Sequence, residues 1–179
     1  MAAAVLAAPA RLGGVRVLAV DGPSGAGKST VARAVGAALR ERGVAVESVP
    51  TDDFATWDDP VSWWPRLVDG VLDPLRRGSP GRYRRTTWDG SVPRLGEWRE
   101  VPVPDVLVVE GVSSARRSAR PSLSLAVWVE LAEEMRLERA VARDGESSRE
   151  QLRRWQAFER GWFAVDGTRA AAGLRVASP

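Results

Sequence analysis

A parallel α/β fold, with a sheet covered on both faces by helices, is predicted by three features of this 179-residue chain. Short apolar runs rich in β-branched residues alternate with segments of helical spacing. One run, Val106 to Val109, is continuously apolar, as in a strand buried on both faces. Another, Val15 to Val20, leads directly into Gly22-Pro23-Ser24-Gly25-Ala26-Gly27-Lys28-Ser29, a glycine-rich bend with the spacing of a phosphate-binding loop.

Met1 to Gly14 is alanine-rich, is broken by Pro9 and Arg11 and lacks a basic n-region, so residues 1–14 read as a flexible cytoplasmic N-terminus rather than a signal peptide. Residues 15–179 read as one domain. After the first strand and the loop, Val31, Val35 and Leu39 recur at helical spacing, and Gly43 is a plausible C-cap. Val44 to Val49 predicts a second strand, ending in Pro50-Thr51-Asp52-Asp53-Phe54. Ser62 can cap a helix carrying Leu67, Val68, Val71 and Leu72, until Asp73-Pro74 interrupts it. From Gly78 to Pro104 the density of Gly, Pro, Arg, Trp and Thr predicts a β-excursion, with turns at Trp88-Asp89-Gly90 and Leu95-Gly96-Glu97.

The Val106 to Val109 strand ends in Glu110-Gly111, and Leu125 to Val129 predicts the next strand. A helix follows from about Ala132 to Arg143. Ser147 and Ser148 with Glu150 and Gln151 form two overlapping capping boxes for a helix whose core face carries Leu152, Trp155, Phe158 and Trp162. Gly173 to Ala177 predicts a last strand. No run approaches the ~18 to 20 apolar residues that cross a bilayer.

Composition narrows the chemistry. There is no cysteine and no histidine, which removes disulfides, thiolate nucleophiles, Ser-His-Asp catalysis and the usual zinc sites. Carboxylates, hydroxyls, arginines and Lys28, the one lysine of the chain, remain, an inventory suited to phosphoryl transfer, where a protein mainly positions groups and stabilises charge. The formal charge is +3 and the pI near 10.4 reflects arginine in place of lysine. A solvated Arg/Glu surface explains it better than a nucleic-acid partner.

In the loop, the backbone of Gly22, Ser24, Gly25, Ala26 and Gly27 can surround phosphates, Lys28 can reach the β- and γ-phosphates, Ser29 can ligate Mg²⁺ and Thr30 can assist. Asp52 and Asp53 follow the second strand at the sheet edge where open α/β proteins hold ligands. A carboxylate there can accept the proton of an attacking hydroxyl and help hold the metal, or simply make an acidic turn; which of the two aspartates is the base stays open. Glu110, where a buried strand emerges, reads as a Mg²⁺ partner. Arg136, Arg139 and Arg143 fall within about 60° on a 3.6-residue helix, away from Leu131, Met135, Leu137 and Val141. That face suits a phosphoryl clamp or a solvated stripe paired with Glu133, Glu134 and Glu138, and Asp144-Gly145 suits a moving lid. Trp128, Trp155 and Trp162 sit where core packing explains them. Trp57, Trp88 and Tyr83 can stack on a planar substrate, and Arg84 and Arg85 can bind an anion; all of these equally can cover the sheet edge.

The loop together with Thr51-Asp52-Asp53-Phe54, Val108-Val109-Glu110-Gly111 and Arg136-Leu137-Glu138-Arg139-Ala140-Val141-Ala142-Arg143-Asp144 resembles the uridine kinase and phosphoribulokinase family of P-loop kinases, in particular its short actinobacterial members. The resemblance implies a three-layer sandwich with a five-stranded parallel sheet in the order 2-3-1-4-5, ATP or GTP and Mg²⁺ as cofactors, and transfer of the γ-phosphate to a hydroxyl of a small molecule, a nucleoside such as uridine foremost. It implies Asp52 as catalytic aspartate, Glu110 as metal-associated glutamate, Arg136, Arg139 and Arg143 within a lid around 136–148, Trp57-Asp58 on ribose hydroxyls and Tyr83 near the base. Ala55 stands where the family has tyrosine and Thr87 where it has aspartate. Two rival readings remain: a cytidylate-like nucleoside monophosphate kinase, whose acceptor phosphate needs arginines such as Arg84, Arg85, Arg116 or Arg117, and a nucleotide-binding regulatory module without turnover.

Overall fold

The computed structural model describes residues 1–89 and 92–178. Five strands form one parallel sheet: β1 (Arg16–Asp21), β2 (Val46–Pro50), β5 (Val106–Glu110), β6 (Leu125–Glu130) and β7 (Leu174–Ala177), in the spatial order β2-β5-β1-β6-β7. Numbered along the chain without the intervening hairpin, this is 2-3-1-4-5, as the resemblance implies. The registers Val17↔Leu107, Val49↔Val109 and Val20↔Val127 align the apolar runs side by side.

Alternation along these strands divides the core. Val17, Ala19, Val49, Leu107 and Val109 point to one face and pack with Phe54, Trp63, Leu67, Val71, Leu75 and Tyr83. Leu18, Val20, Val106, Val108, Val127 and Val129 point to the other, against Ala32, Val35 and Leu39 of α2 (Lys28–Arg40). The result is a three-layer sandwich in which the central strands are buried on both faces.

The N-terminal segment differs from the expected loose tail. Residues Ala2–Ala7 form α1, Val5 and Leu12 are fully buried, and Val5 joins the α2-side core. The alanine-rich composition that reads as a tail is equally that of a good helix former, and small side chains let α1 lie close against the layer below.

The helix expected from Ser62 also differs. Ser62 does not cap it; the Ser62 N–H instead donates to Asp59 Oδ1 (2.7 Å). Helix α3 (Trp64–Leu67) runs through a π-helical turn (Val68–Leu72) into α4 (Asp73–Arg76), so Asp73-Pro74 opens a helix rather than ending one. The wider turn relieves the clash that the Pro74 ring would make with the carbonyl four residues back in a regular α-helix.

The arginine- and tryptophan-rich excursion is an antiparallel hairpin, β3 (Gly81–Asp89) and β4 (Val92–Val101). Trp88-Asp89 ends β3, while Gly90 of the expected turn lies outside the described residues. Leu95-Gly96-Glu97 is not a turn but part of β4. Register shifts between Arg84 and Thr86, so Gly96 and Glu97 bulge opposite Arg85.

Helices α5 (Glu133–Asp144) and α6 (Arg149–Asp166) follow β6, and the short α7 (Thr168–Ala171) leads into β7. The expected capping boxes do not form. Ser148 occupies the N-cap without a side-chain cap bond, and its hydroxyl donates back to the Asp144 carbonyl (3.1 Å). The buried residues of α6 are Leu152, Gln156 and Glu159, whereas Phe158, expected in the core, is 37% exposed. No helix among the described residues is long and apolar enough to cross a membrane.

Candidate active site

β1 ends at Asp21, and the glycine-rich bend carries the chain to the first turn of α2. Gly27 is the N-cap in the left-handed region (φ 90°) and supplies no side-chain cap, so the helix start presents backbone N–H groups to the space ahead of it. Gly22 and Gly25 also have positive φ (143° and 79°). A Cβ on Gly22 would lie 2.2 Å from the Val129 carbonyl oxygen, and one on Gly25 2.3 Å from that of Arg136. These positions demand glycine because other backbone fills the space a side chain would need.

Asp21 fixes this bend. It is fully buried and accepts backbone N–H bonds from Gly22 (2.7 Å), Ser113 (3.0 Å) and Ala115 (2.8 Å), tying the loop to the segment after β5. Burial pushes its carboxyl up to about 7, against the opposing pull of those N–H groups and of Lys28. Asp21→Ala leaves three buried donors unpaired. A loss of about 3 kcal/mol is expected, which lowers Tm by roughly 6–12 °C in a chain of this size; calorimetry checks it.

A cavity of about 270 Å³ opens above the bend, lined by Ser24, Gly25, Gly27, Lys28, Ser29, Thr30, Asp52, Glu110, Arg139 and Arg143. Here the sequence-predicted residues meet. Lys28 is 9% exposed and its Nζ donates to the Pro23 carbonyl (3.1 Å). The Ser29 hydroxyl donates to Glu110 Oε1 (3.1 Å). Burial holds the Glu110 carboxyl above the usual carboxylate range, with the charge of Asp52 acting the same way and Lys28 opposing. Arg143 binds Asp144 through Nε (2.6 Å) and Nη2 (2.7 Å), and Arg139 Nη1 donates to the Ser178 hydroxyl (3.1 Å).

A second cavity, of about 610 Å³, shares Ser24, Asp52 and Arg143 with the first and extends to Trp57, Trp88, Trp155, Gln151 and Leu152. Trp57 meets Trp155 edge-on (5.5 Å between ring centres) and Trp88 at a tilt (6.3 Å). Asp52 therefore stands on the wall between a cationic, amide-lined space and an indole-lined one.

Other expected residues lie elsewhere. Asp53 is 4% exposed and faces away from both cavities, accepting from the Tyr83 hydroxyl (2.5 Å) and Arg85 Nε (3.0 Å), with Arg99 Nη1 at 3.5 Å. Tyr83, expected beside a base, is buried against Phe54 (4.7 Å between rings), and burial together with Asp53 raises its phenol well above the usual range. Arg84 spends its guanidinium on the Gly96 and Leu95 carbonyls across the hairpin (2.8 and 2.7 Å). Asp58 is exposed and lines neither cavity. Arg136 leaves the arginine face: it is 7% exposed and its Nε donates to the Leu131 carbonyl (3.0 Å), while Met135 is the exposed one.

The sequence reading places Trp155 in the core and Gln151 in a helix cap rather than at a cavity, gives Asp21 no role of its own, and does not single out Ser178 or Glu159. For Asp21 a signal was present, an acidic residue closing an otherwise apolar strand just before the loop.

Could these residues hold a divalent cation? Among the described residues no group of three or more acidic, histidine or cysteine side chains gathers into an all-protein cage. One hydroxyl and one carboxylate, Ser29 and Glu110, fit a hard cation such as Mg²⁺ that keeps water and substrate phosphate as its other ligands.

No protein-family model matches the chain, and no curated protein matches its sequence. Solved structures do match. A possible uridine kinase from Bacillus stearothermophilus is 18% identical, with 97% of this chain and 94% of that one covered at a TM-score of 0.71. A protein assigned as a fructose transport system kinase, from Silicibacter sp. TM1040, is 19% identical over 98% of this chain and 96% of that one, also at 0.71. Sheet order, loop and these neighbours together give the chain the fold of the P-loop kinases.

Proposed function

We propose that the protein transfers the γ-phosphate of ATP, or GTP, to a hydroxyl of a small uncharged acceptor, with a nucleoside such as uridine as the leading candidate. One observation carries this reading: Asp52 and Arg143 line both the phosphate-type cavity and the indole-lined cavity beside it. A base on that shared wall reaches a hydroxyl from one side and a phosphoryl group from the other. The sequence resemblance and the fold shared with a possible uridine kinase support it.

Lys28 and the loop amides hold the phosphates, and Asp52 orients the acceptor hydroxyl and accepts its proton at a carboxylate oxygen. Arg139 and Arg143 neutralise charge that develops on the transferring group, in a lid spanning 136–148 that excludes water. Ser29 and Glu110 hold Mg²⁺, which when bound supplies charge neutralisation to the phosphate oxygens. Trp57, Trp88 and Trp155 offer apolar faces to a planar ring.

The monophosphate-kinase reading is less well supported, because its arginines are engaged elsewhere. Arg84 braces the hairpin and Arg85 binds Asp53. Arg116 is 7% exposed among Trp64 (4.6 Å), Trp162 (4.9 Å) and Trp63 (5.6 Å), and Arg117 Nη2 donates to the Val165 carbonyl (3.0 Å). The charged side chains that line the indole-lined cavity are Arg143, Asp144 and Asp52, one cation to two carboxylates. That balance disfavours an anionic acceptor.

The test is ADP release with ATP and Mg²⁺ across uridine, other nucleosides, CMP and small alcohols. Release with an uncharged hydroxyl compound and at least tenfold less with CMP is expected. Preference for CMP replaces this reading with the monophosphate kinase, and tight ATP binding without acceptor-dependent ADP release replaces it with the regulatory module.

A further inference from the structure

Helix α6 carries a carboxylate into the phosphate loop. Glu159 is 1% exposed, and its two oxygens accept the Ser24 backbone N–H at 3.1 and 3.0 Å. The Ser24 hydroxyl and the Trp155 indole N–H both donate to Glu159 Oε1, and the same indole N–H reaches the Ser24 hydroxyl oxygen at 2.9 Å. No step of the mechanism above uses this group.

A carboxylate removed from water is tolerated only with donors around it. Among the described residues the donors come from two places: the phosphate loop, through Ser24, and the indole wall of the acceptor cavity, through Trp155. Spacing of four residues on α6 puts Trp155 and Glu159 on one face. Trp155 in turn meets Trp57 edge-on. An unbroken line of contacts thus runs from the loop amide through Glu159 to the rings that line the second cavity.

We propose that Glu159 is a positioning residue that fastens the indole wall of the acceptor cavity to the phosphate loop, so that the acceptor's ring is held in register with the nucleotide. The inference rests on the kinase reading for its acceptor, and on the geometry alone for the fastening. It is distinguishable from simple packing by Glu159→Gln, which keeps the shape. A glutamine has one acceptor oxygen and an NH₂ donor in place of the second. With its oxygen at the Oε1 position, which accepts the indole and the Ser24 hydroxyl, the variant sets an NH₂ donor where Oε2 lies 3.0 Å from the Ser24 amide nitrogen and gives the indole a neutral acceptor in place of a carboxylate, so both ends of the fastening weaken.

The experiment uses the full chain. Indole N–H resonances are followed in ¹H–¹⁵N spectra, with Trp155 assigned by its disappearance in Trp155→Phe, and steady-state kinetics are run with ATP and uridine, or the best acceptor found. In E159Q the Trp155 resonance is expected to move upfield. The acceptor KM is expected to rise at least tenfold and the KM for ATP by a smaller factor, with kcat within threefold of the parent. An unmoved indole resonance, or an unchanged acceptor KM, overturns the proposal. If E159Q fails to fold, Ser24→Ala, which removes one donor and keeps the amide bond, is expected to raise the acceptor KM by a smaller factor, and no rise overturns it. If the parent releases no ADP with any acceptor, the kinase reading fails separately. The fastening is then judged by ATP alone, which moves the Trp155 resonance in the parent and not in E159Q if it holds, and moves both equally or neither if it does not.

Discussion

Lys28→Ala is expected to lower acceptor-dependent ADP release by about three orders of magnitude or more, equivalent to about 4 kcal/mol of transition-state stabilisation, while Tm stays within a few degrees of the parent. Both halves follow from what Lys28 touches. The residue is 9% exposed in the wall of the smaller cavity, with the Pro23 carbonyl accepting from its ammonium at 3.1 Å. Truncation costs the fold one hydrogen bond to a carbonyl that also accepts the Ala26 N–H at 3.2 Å. To the reaction it removes the lysine of the loop, whose buried side chain places a fixed charge where it acts more strongly than in bulk water. Arginine is no substitute: its planar guanidinium offers donors in a rigid fork, whereas Lys28 brings a compact ammonium on a flexible stem. Lys28→Arg is therefore expected to recover less than a tenth of parental turnover. Retained turnover in Lys28→Ala removes phosphate binding at this loop as the basis of activity.

The frame was legible in the sequence because its signals are local. Strands at Val106 and Leu125, the loop between β1 and α2, and Glu110 at a strand tip each follow from a few consecutive residues whose burial or spacing admits one arrangement. What was not legible depends on partners far along the chain. Trp155 reads as core on helical spacing alone. It borders a cavity because Glu159, one turn on, is drawn to the Ser24 amide 135 residues away. Tyr83 reads as a ring beside the site, but the hairpin folds it under Phe54 and onto Asp53. Arg136 and Met135 exchanged their expected environments because the loop presses on the α5 backbone at Gly25, a tertiary contact that helical periodicity does not contain.

The adjacent aspartates, indistinguishable in sequence, are expected to separate cleanly by mutation. Asp52→Asn removes a carboxylate that is exposed and lines both cavities, so kcat is expected to fall about 10²- to 10⁴-fold, the range for loss of a positioned general base, with Tm nearly unchanged. Asp53→Asn acts in the opposite way. Its carboxylate is buried, takes the Tyr83 hydroxyl at 2.5 Å and Arg85 at 3.0 Å, and has Arg99 at 3.5 Å, so an amide there loses charge-assisted acceptors on which the hairpin is docked. Because Arg85 is more than half exposed, solvent screens part of that loss. About 2 kcal/mol is expected, which lowers Tm by roughly 4–8 °C, with kcat reduced far less than in Asp52→Asn when measured well below the transition. Thermal melts and single-turnover ADP formation on both variants decide the matter. If Asp53→Asn is the one that loses turnover at full stability, the base has been assigned to the wrong neighbour; if neither loses it, no carboxylate at the end of β2 takes the proton.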